Sequence, residues 1–292
     1  LSTGETRDRR SSIQPTTGRA STSQRAATTA STAALTTGPA EHTAGGQPTL
    51  TVAEQRRGLI DGLVAAEDAD GRMEMVFDER REGQPEDAAA AGWALLALAG
   101  SDSARSDRRV ERTLMTALRH YQACERLVAA PASAAILARS FAQGYAWTND
   151  TQTSEFVFEL LDWIVSRQVG PLNCTWPEMY GAISAREIGA AGVDTALYLA
   201  ALADGVKLAE RVGDRPRAAR YRKAVKAAAR FVLQLEMREE GCYYVRSPRD
   251  ALGGVRAALW DHRLRADYCA DALIGLMKAR AALYGELQTG RK

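Results

Sequence analysis

Along most of this chain apolar residues recur every three to four positions, and the stripes alternate in kind. Leu59, Ile60, Leu63 and Val64 mark a first amphipathic helix, opened by a capping-box pair, Thr51 with Glu54. Residues 87–100 (DAAAAGWALLALAG) are apolar on every face, which predicts a helix enclosed by others. Residues 107–124 carry charge on one side through Arg108, Arg109, Glu111, Arg112 and Arg119. Residues 131–146 are again apolar, with Pro131 suited to a first turn. The stretch 151–168 puts Phe156, Leu160, Trp163 and Ile164 on one stripe, and 192–203 is apolar all round. In 214–235, Tyr221, Val225, Ala228, Val232 and Leu235 fall at helical intervals while Arg and Lys fill the other side. Residues 263–283 close the pattern as a mostly buried helix.

A structural echo runs through this alternation. Three times a turn-rich segment with large apolar side chains leads to an Asp that opens an apolar helix. The segments are GRMEMVFDE before Asp87, TWPEMYGAI before Asp194, and CYYVRS before Asp267. The first reads as a short strand or hairpin and the third as a short aromatic strand. Stacked helical hairpins with their apolar members inside would gather the starts of those inner helices at one end. The expectation is an all-α protein, an (α/α) helical-hairpin toroid short of closure, with short β-hairpins before its inner helices.

Residues 1–48 contain no aromatic residue, valine or cysteine and are rich in Thr, Ser, Ala, Gly and Arg. Such a segment cannot bury enough apolar surface to offset its ordering entropy, so it reads as a disordered tail or linker. Residues 49–288 then form the helical domain. Over the whole chain 38 basic residues face 36 acidic ones, which gives no electrostatic case for nucleic acid. No apolar run is long enough to span a membrane. The four cysteines lack CxxC or zinc spacing, and the three histidines form no ligand pair, so neither metal nor cofactor is expected. Walker, dinucleotide and nucleophile-elbow patterns are missing.

The outer-and-inner alternation, with polar loops before Asp194 and Asp267, resembles the six-hairpin glycosidase superfamily, which includes polysaccharide lyases and unsaturated glucuronyl hydrolases. More distantly it is similar to the terpenoid cyclase and prenyltransferase toroids. The resemblance implies catalytic carboxylates and sugar-stacking aromatics in the loops before the inner helices. The matching residues are Glu178, Asp261 and Asp267 as catalytic candidates. Trp176, Tyr180, Asp194 and Trp260 are the substrate-binding ones, and Arg263 and Arg265, which lie beside Asp267, are further substrate-binding candidates. The helix count departs from the family, falling short of two helices for each of six hairpins.

These residues suit a glycan chemically. Indole faces stack on pyranose CH groups, and two carboxylic acids can share glycosidic cleavage as acid and base or nucleophile. Each also has a plainer reading. Asp at a helix start caps backbone N–H groups, an Arg–Asp network can simply hold the loop, and Trp176-Pro177-Glu178-Met179-Tyr180-Gly181 can plug the end of the molecule. A non-catalytic helical module that binds a protein partner is the competing function. It is favoured by the low helix count and the lack of a diagnostic catalytic motif.

Overall fold

The computed structural model describes residues 51–74, 88–124, 131–184 and 191–285. Among these residues the chain is all-α, and its only β-structure is a few isolated antiparallel bridges. The helices are α1 (Val52–Ala65), α2 (Ala88–Gly100), α3 (Arg108–Gln122), α4 (Pro131–Thr148), α5 (Thr151–Ser166), α6 (Thr195–Val212), α7 (Arg215–Gln234), the single turn α8 (Pro248–Ala251) and α9 (Ala266–Tyr284). The expected tail and Asp87 lie outside the described residues.

Charge placement sorts the long helices into two layers. On α3, Val110, Leu114, Ala117, Leu118 and Tyr121 are buried along one stripe while its arginines stay exposed. Helices α5 and α7 repeat this one-sided burial. Helices α4 and α6 are buried almost all round. The inner row runs α2, α4, α6, α9, each packed on the next. Behind it α3 packs on α2 and α4, α5 on α4 and α6, and α7 on α6 and α9, with α1 against α2 and α3. Small residues let the inner helices approach closely. A Cβ on Gly275 of α9 would come within 2.7 Å of the Ala196 carbonyl oxygen on α6. The result is a two-layered row of four helical hairpins, and among the described residues the end helices α2 and α9 make no extensive contact that would close it.

Side-chain caps start the outer helices. Thr51 and Glu54 form the capping box of α1, and Asp107, Asp150 and Asp214 accept backbone N–H bonds at 2.9, 2.8 and 3.0 Å.

The echo in the sequence corresponds to one backbone motif. Two residues past the ends of α1, α5 and α7, an isolated bridge pairs Glu67 with Met73, Gln168 with Ile183, and Glu236 with Val255. Each apolar partner is buried, and two residues before it stands a glycine of positive φ: Gly71 at 84°, Gly181 at 97° and Gly253 at 78°. Gly71 packs on Thr116 of α3 and Gly181 on Ala227 of α7, whereas Gly253 meets nothing within 4 Å. The motif thus locks the first two hairpins to the following outer helix, and among the described residues the third copy meets none.

Three expectations need correction. Residues 242–247 form turns beside the 3₁₀ turn Glu239–Gly241, because the bridge partner in this third copy is Val255. Helix α6 runs on to Val212, well past Ala203, since Lys207, Glu210 and Arg211 take its open side while Val206, Leu208 and Ala209 stay buried. Helix α9 is less buried than its composition suggests. Ala272, Gly275 and Ala279 are buried, but Leu273 and Met277 are 60% and 62% exposed, because α6 and α7 cover only one side of it.

Candidate functional site

Two loops are tied together where α6 and α9 begin. The Val193 N–H donates to the Ala257 carbonyl at 2.8 Å, and Gly192 lies so close that a Cβ would meet the same oxygen at 2.2 Å. Thr195, fully buried at the start of α6, accepts the Ile183 N–H at 3.2 Å and so anchors the bridged hairpin as well. The segment 256–264 folds back on itself, with an Arg256–Leu264 bridge and Asp261 N–H bonded to the Ala258 carbonyl at 3.2 Å. Trp260 sits in that turn, 53% exposed.

These contacts enclose a shallow hollow of about 240 Å³ lined by Gly192, Val193, Asp194, Ala257, Ala258, Trp260, Asp261, Arg263 and Tyr268. Four of the residues expected from sequence, Asp194, Trp260, Asp261 and Arg263, meet here. Asp261 is gripped by Arg263. Its Oδ1 accepts the Arg263 backbone N–H at 3.1 Å and Nε at 2.9 Å, and its Oδ2 takes Nη2 as well. Those bonds hold its carboxyl below the ordinary aspartate range. Asp194 occupies the N-cap position of α6 yet makes no side-chain capping bond, leaving its carboxylate directed to the hollow's rim. Its charge, after burial, helps push the Tyr198 phenol upward.

The other expected residues lie elsewhere. Arg265 and Asp267 form a two-point ion pair at 2.9 and 2.8 Å at the start of α9, which holds the Asp267 carboxyl low. Arg265 also lies over the Tyr268 ring, 5.1 Å from its centre. Trp176, Glu178 and Tyr180 were expected to alternate along an extended segment, but Pro177–Met179 is a 3₁₀ turn. Buried Met179 plugs the loop, Trp176 stands 56% exposed, and Tyr180 packs on the core. Glu178 lines a neighbouring groove with Arg230, Gln234, Glu236, Arg238 and Arg256. Beyond the hollow's edge Tyr244 Oη and His262 Nδ1 are 2.8 Å apart, with Tyr243 edge-on to Tyr244.

Sequence reading missed two features. Asp271, one turn beyond Asp267, is half-buried, and burial followed by the Asp267 and Asp194 charges raises its carboxyl above the ordinary range. Deeper in the row, Asp204 of α6 receives Lys278 of α9 on both oxygens, at 2.6 and 2.8 Å, and Arg139 of α4 at 3.5 Å. Arg139 in turn lies over Trp93 of α2. The available signal was a charge breaking an apolar run, Arg139 in α4, Asp204 in α6 and Lys278 in α9. Among the described residues no group of three or more His, Cys, Asp and Glu side chains is placed to hold a metal, and no helix is long and apolar enough to cross a membrane. All four cysteines are free thiols. Comparison of the chain with protein-family models, curated proteins and solved structures finds no match.

Proposed function

We propose that this chain binds a carbohydrate, or a similarly polyhydroxylated ligand, in the hollow where α6 and α9 begin. The observation that carries this reading is the meeting of an exposed indole, Trp260, with Asp194, Asp261 and Arg263 in one concavity. A sugar ring laid on the indole presents hydroxyls to Asp194 and to the Asp261 carboxylate, which Arg263 holds ionised, and charge-assisted hydrogen bonds of this kind are the strong ones. Binding is better supported than hydrolysis. Glycosidic cleavage needs a carboxyl kept protonated near neutral pH, whereas Asp261 and Asp267 are both pulled down by their arginines. Asp271 carries the opposite shift but does not line the hollow.

A glycan array probed with the full chain tests the proposal. Binding to at least one glycan class, lost in Asp194→Asn without loss of helicity, supports it, and an array blank across neutral and acidic glycans refutes it.

A second reading, docking of a protein partner, rests on the end of the helical row. Leu273 and Met277 of α9 are exposed, and Gly253 lacks the neighbour that Gly71 and Gly181 have. A further helical hairpin brought by a partner would fit there. Carbohydrate in the hollow and protein on α9 are compatible, because the two surfaces differ.

A further inference from the structure

Arg56, Arg57 and Asp61 of α1 face Asp107, Arg108 and Arg109 at the start of α3 across a cleft of about 550 Å³. A helix packed on a neighbour ordinarily turns apolar residues toward it. Helix α1 buries none of its residues and instead sets two arginines opposite two more. Four guanidiniums and two carboxylates therefore share the cleft, a surplus of two positive charges. Both carboxylates are spent on one arginine. Arg109 Nη2 donates to Asp61 Oδ1 at 2.8 Å and to Asp107 Oδ2 at 2.7 Å, and its Nε lies 3.2 Å from each Asp107 oxygen.

Arg56, Arg57 and Arg108 are exposed, and among the described residues none of them forms an ion pair or a side-chain hydrogen bond. The charge of Arg57 reaches Asp107, whose carboxyl is held low chiefly by Arg109. Like charges set across a cleft repel, and an anion between them removes that cost. A guanidinium carries its donors in a planar fork that matches tetrahedral oxyanions. The positive end of α3 opens on the same side, although Asp107 already caps it, and the exposed Ser106 hydroxyl stands beside it.

We infer that the cleft between α1 and the start of α3 binds the phosphoryl or sulfuryl group of a ligand, held by Arg56, Arg57 and Arg108. Arg109 is the strut of this site, because its bonds to Asp61 and Asp107 fix the spacing of the two walls. Occupancy cancels the repulsion between the walls and fastens α1 to the row. The site lies at the α1–α3 end of the row, whereas the hollow lies where α6 and α9 begin, so the inference does not depend on carbohydrate binding.

The test follows arginine Nε–Hε resonances of the full chain as inorganic phosphate, sulfate or acetate is added at ionic strength held constant with chloride. Phosphate or sulfate is expected to shift several arginine signals with one shared, saturable midpoint, and those signals include the ones missing from Arg57→Gln and Arg108→Gln. Each of these substitutions is expected to weaken binding about tenfold, the loss of one charged hydrogen bond. Arg119→Gln, on α3 but outside the cleft, is expected to leave the midpoint unchanged. Sedimentation with phosphatidylcholine vesicles, with and without phosphatidic acid, then names the source. Binding only to the acidic vesicles assigns a lipid headgroup and none assigns a soluble ligand, and either upholds a site that phosphate saturates. A wild-type response that never saturates overturns the inference, as does acetate binding as tightly as phosphate or an equal loss in Arg119→Gln. Because the wild-type titrations need no variant, poor folding of a variant does not rescue the idea.

Discussion

Adding one methyl group at Gly181 and at Gly253 separates backbone strain from packing. Both residues hold positive φ, 97° and 78°, and both sit two residues before a buried bridge partner. Placing alanine in that conformation costs roughly 1–2 kcal/mol, partly offset by about 0.4–1 kcal/mol from a stiffer unfolded chain. At Gly253 nothing else is met within 4 Å, so Gly253→Ala should cost no more than about 1.5 kcal/mol. At Gly181 the new Cβ would fall 1.9 Å from the Ala227 carbonyl oxygen and 2.4 Å from its carbon. Those are backbone atoms of α7, so the hairpin must lift off the helix, an overpacking cost of about 1–3 kcal/mol more. Gly71→Ala, with Thr116 O at 2.5 Å, should fall between them. Urea unfolding followed by far-UV circular dichroism gives the three values, and thermal midpoints should separate by about 2–4 °C per kcal/mol. Equal costs for Gly181→Ala and Gly253→Ala would refute the claim that the motif clamps the first two hairpins to the next outer helix.

Other outcomes follow from the same structure. Asp271 has its carboxyl raised by burial and by Asp267 and Asp194, so the folded state holds its proton more tightly than the unfolded state. Its effect on stability is therefore most favourable below the unfolded carboxyl range and worsens as pH rises through the folded value. Asp271→Asn should stabilise the protein near neutral pH by less than about 1 kcal/mol, with the gain gone by about pH 3 in thermal melts; a gain independent of pH would contradict this. Asp261 carries the opposite shift, so its ion pair should contribute above the unfolded range and be lost on acidification, and Asp261→Asn should flatten that acid limb. Trp163 packs against the core from α5, so Trp163→Ala should cost more in a thermal melt than Glu178→Gln or Asp261→Asn, by up to about 3 kcal/mol. The reverse order would contradict the placement of these side chains.

Outer helices were legible because their charge lies on one side, as on α3 and α7, and burial followed that pattern. The end of α6 was not, and the reason is instructive. Asp204 interrupts an apolar run and looks like a terminus, yet it sits inside the row because Lys278 and Arg139 arrive from other helices. Local sequence carries no trace of partners 65 and 74 residues away. The hollow shows the same limit. The polar density of residues 260–268 pointed to it, but joining Asp194 to that cluster takes the Val193–Ala257 bond between distant loops. Glu178 was misplaced because Pro177 opens a 3₁₀ turn where alternation had suggested an extended segment.

The most direct test of the carbohydrate reading is a titration of intrinsic tryptophan fluorescence with neutral and acidic oligosaccharides, on the wild-type chain and on Trp260→Phe. A saturable change in the wild type, absent from the variant, is the predicted result. A flat wild-type trace with every oligosaccharide, or an identical response from Trp260→Phe, would contradict it.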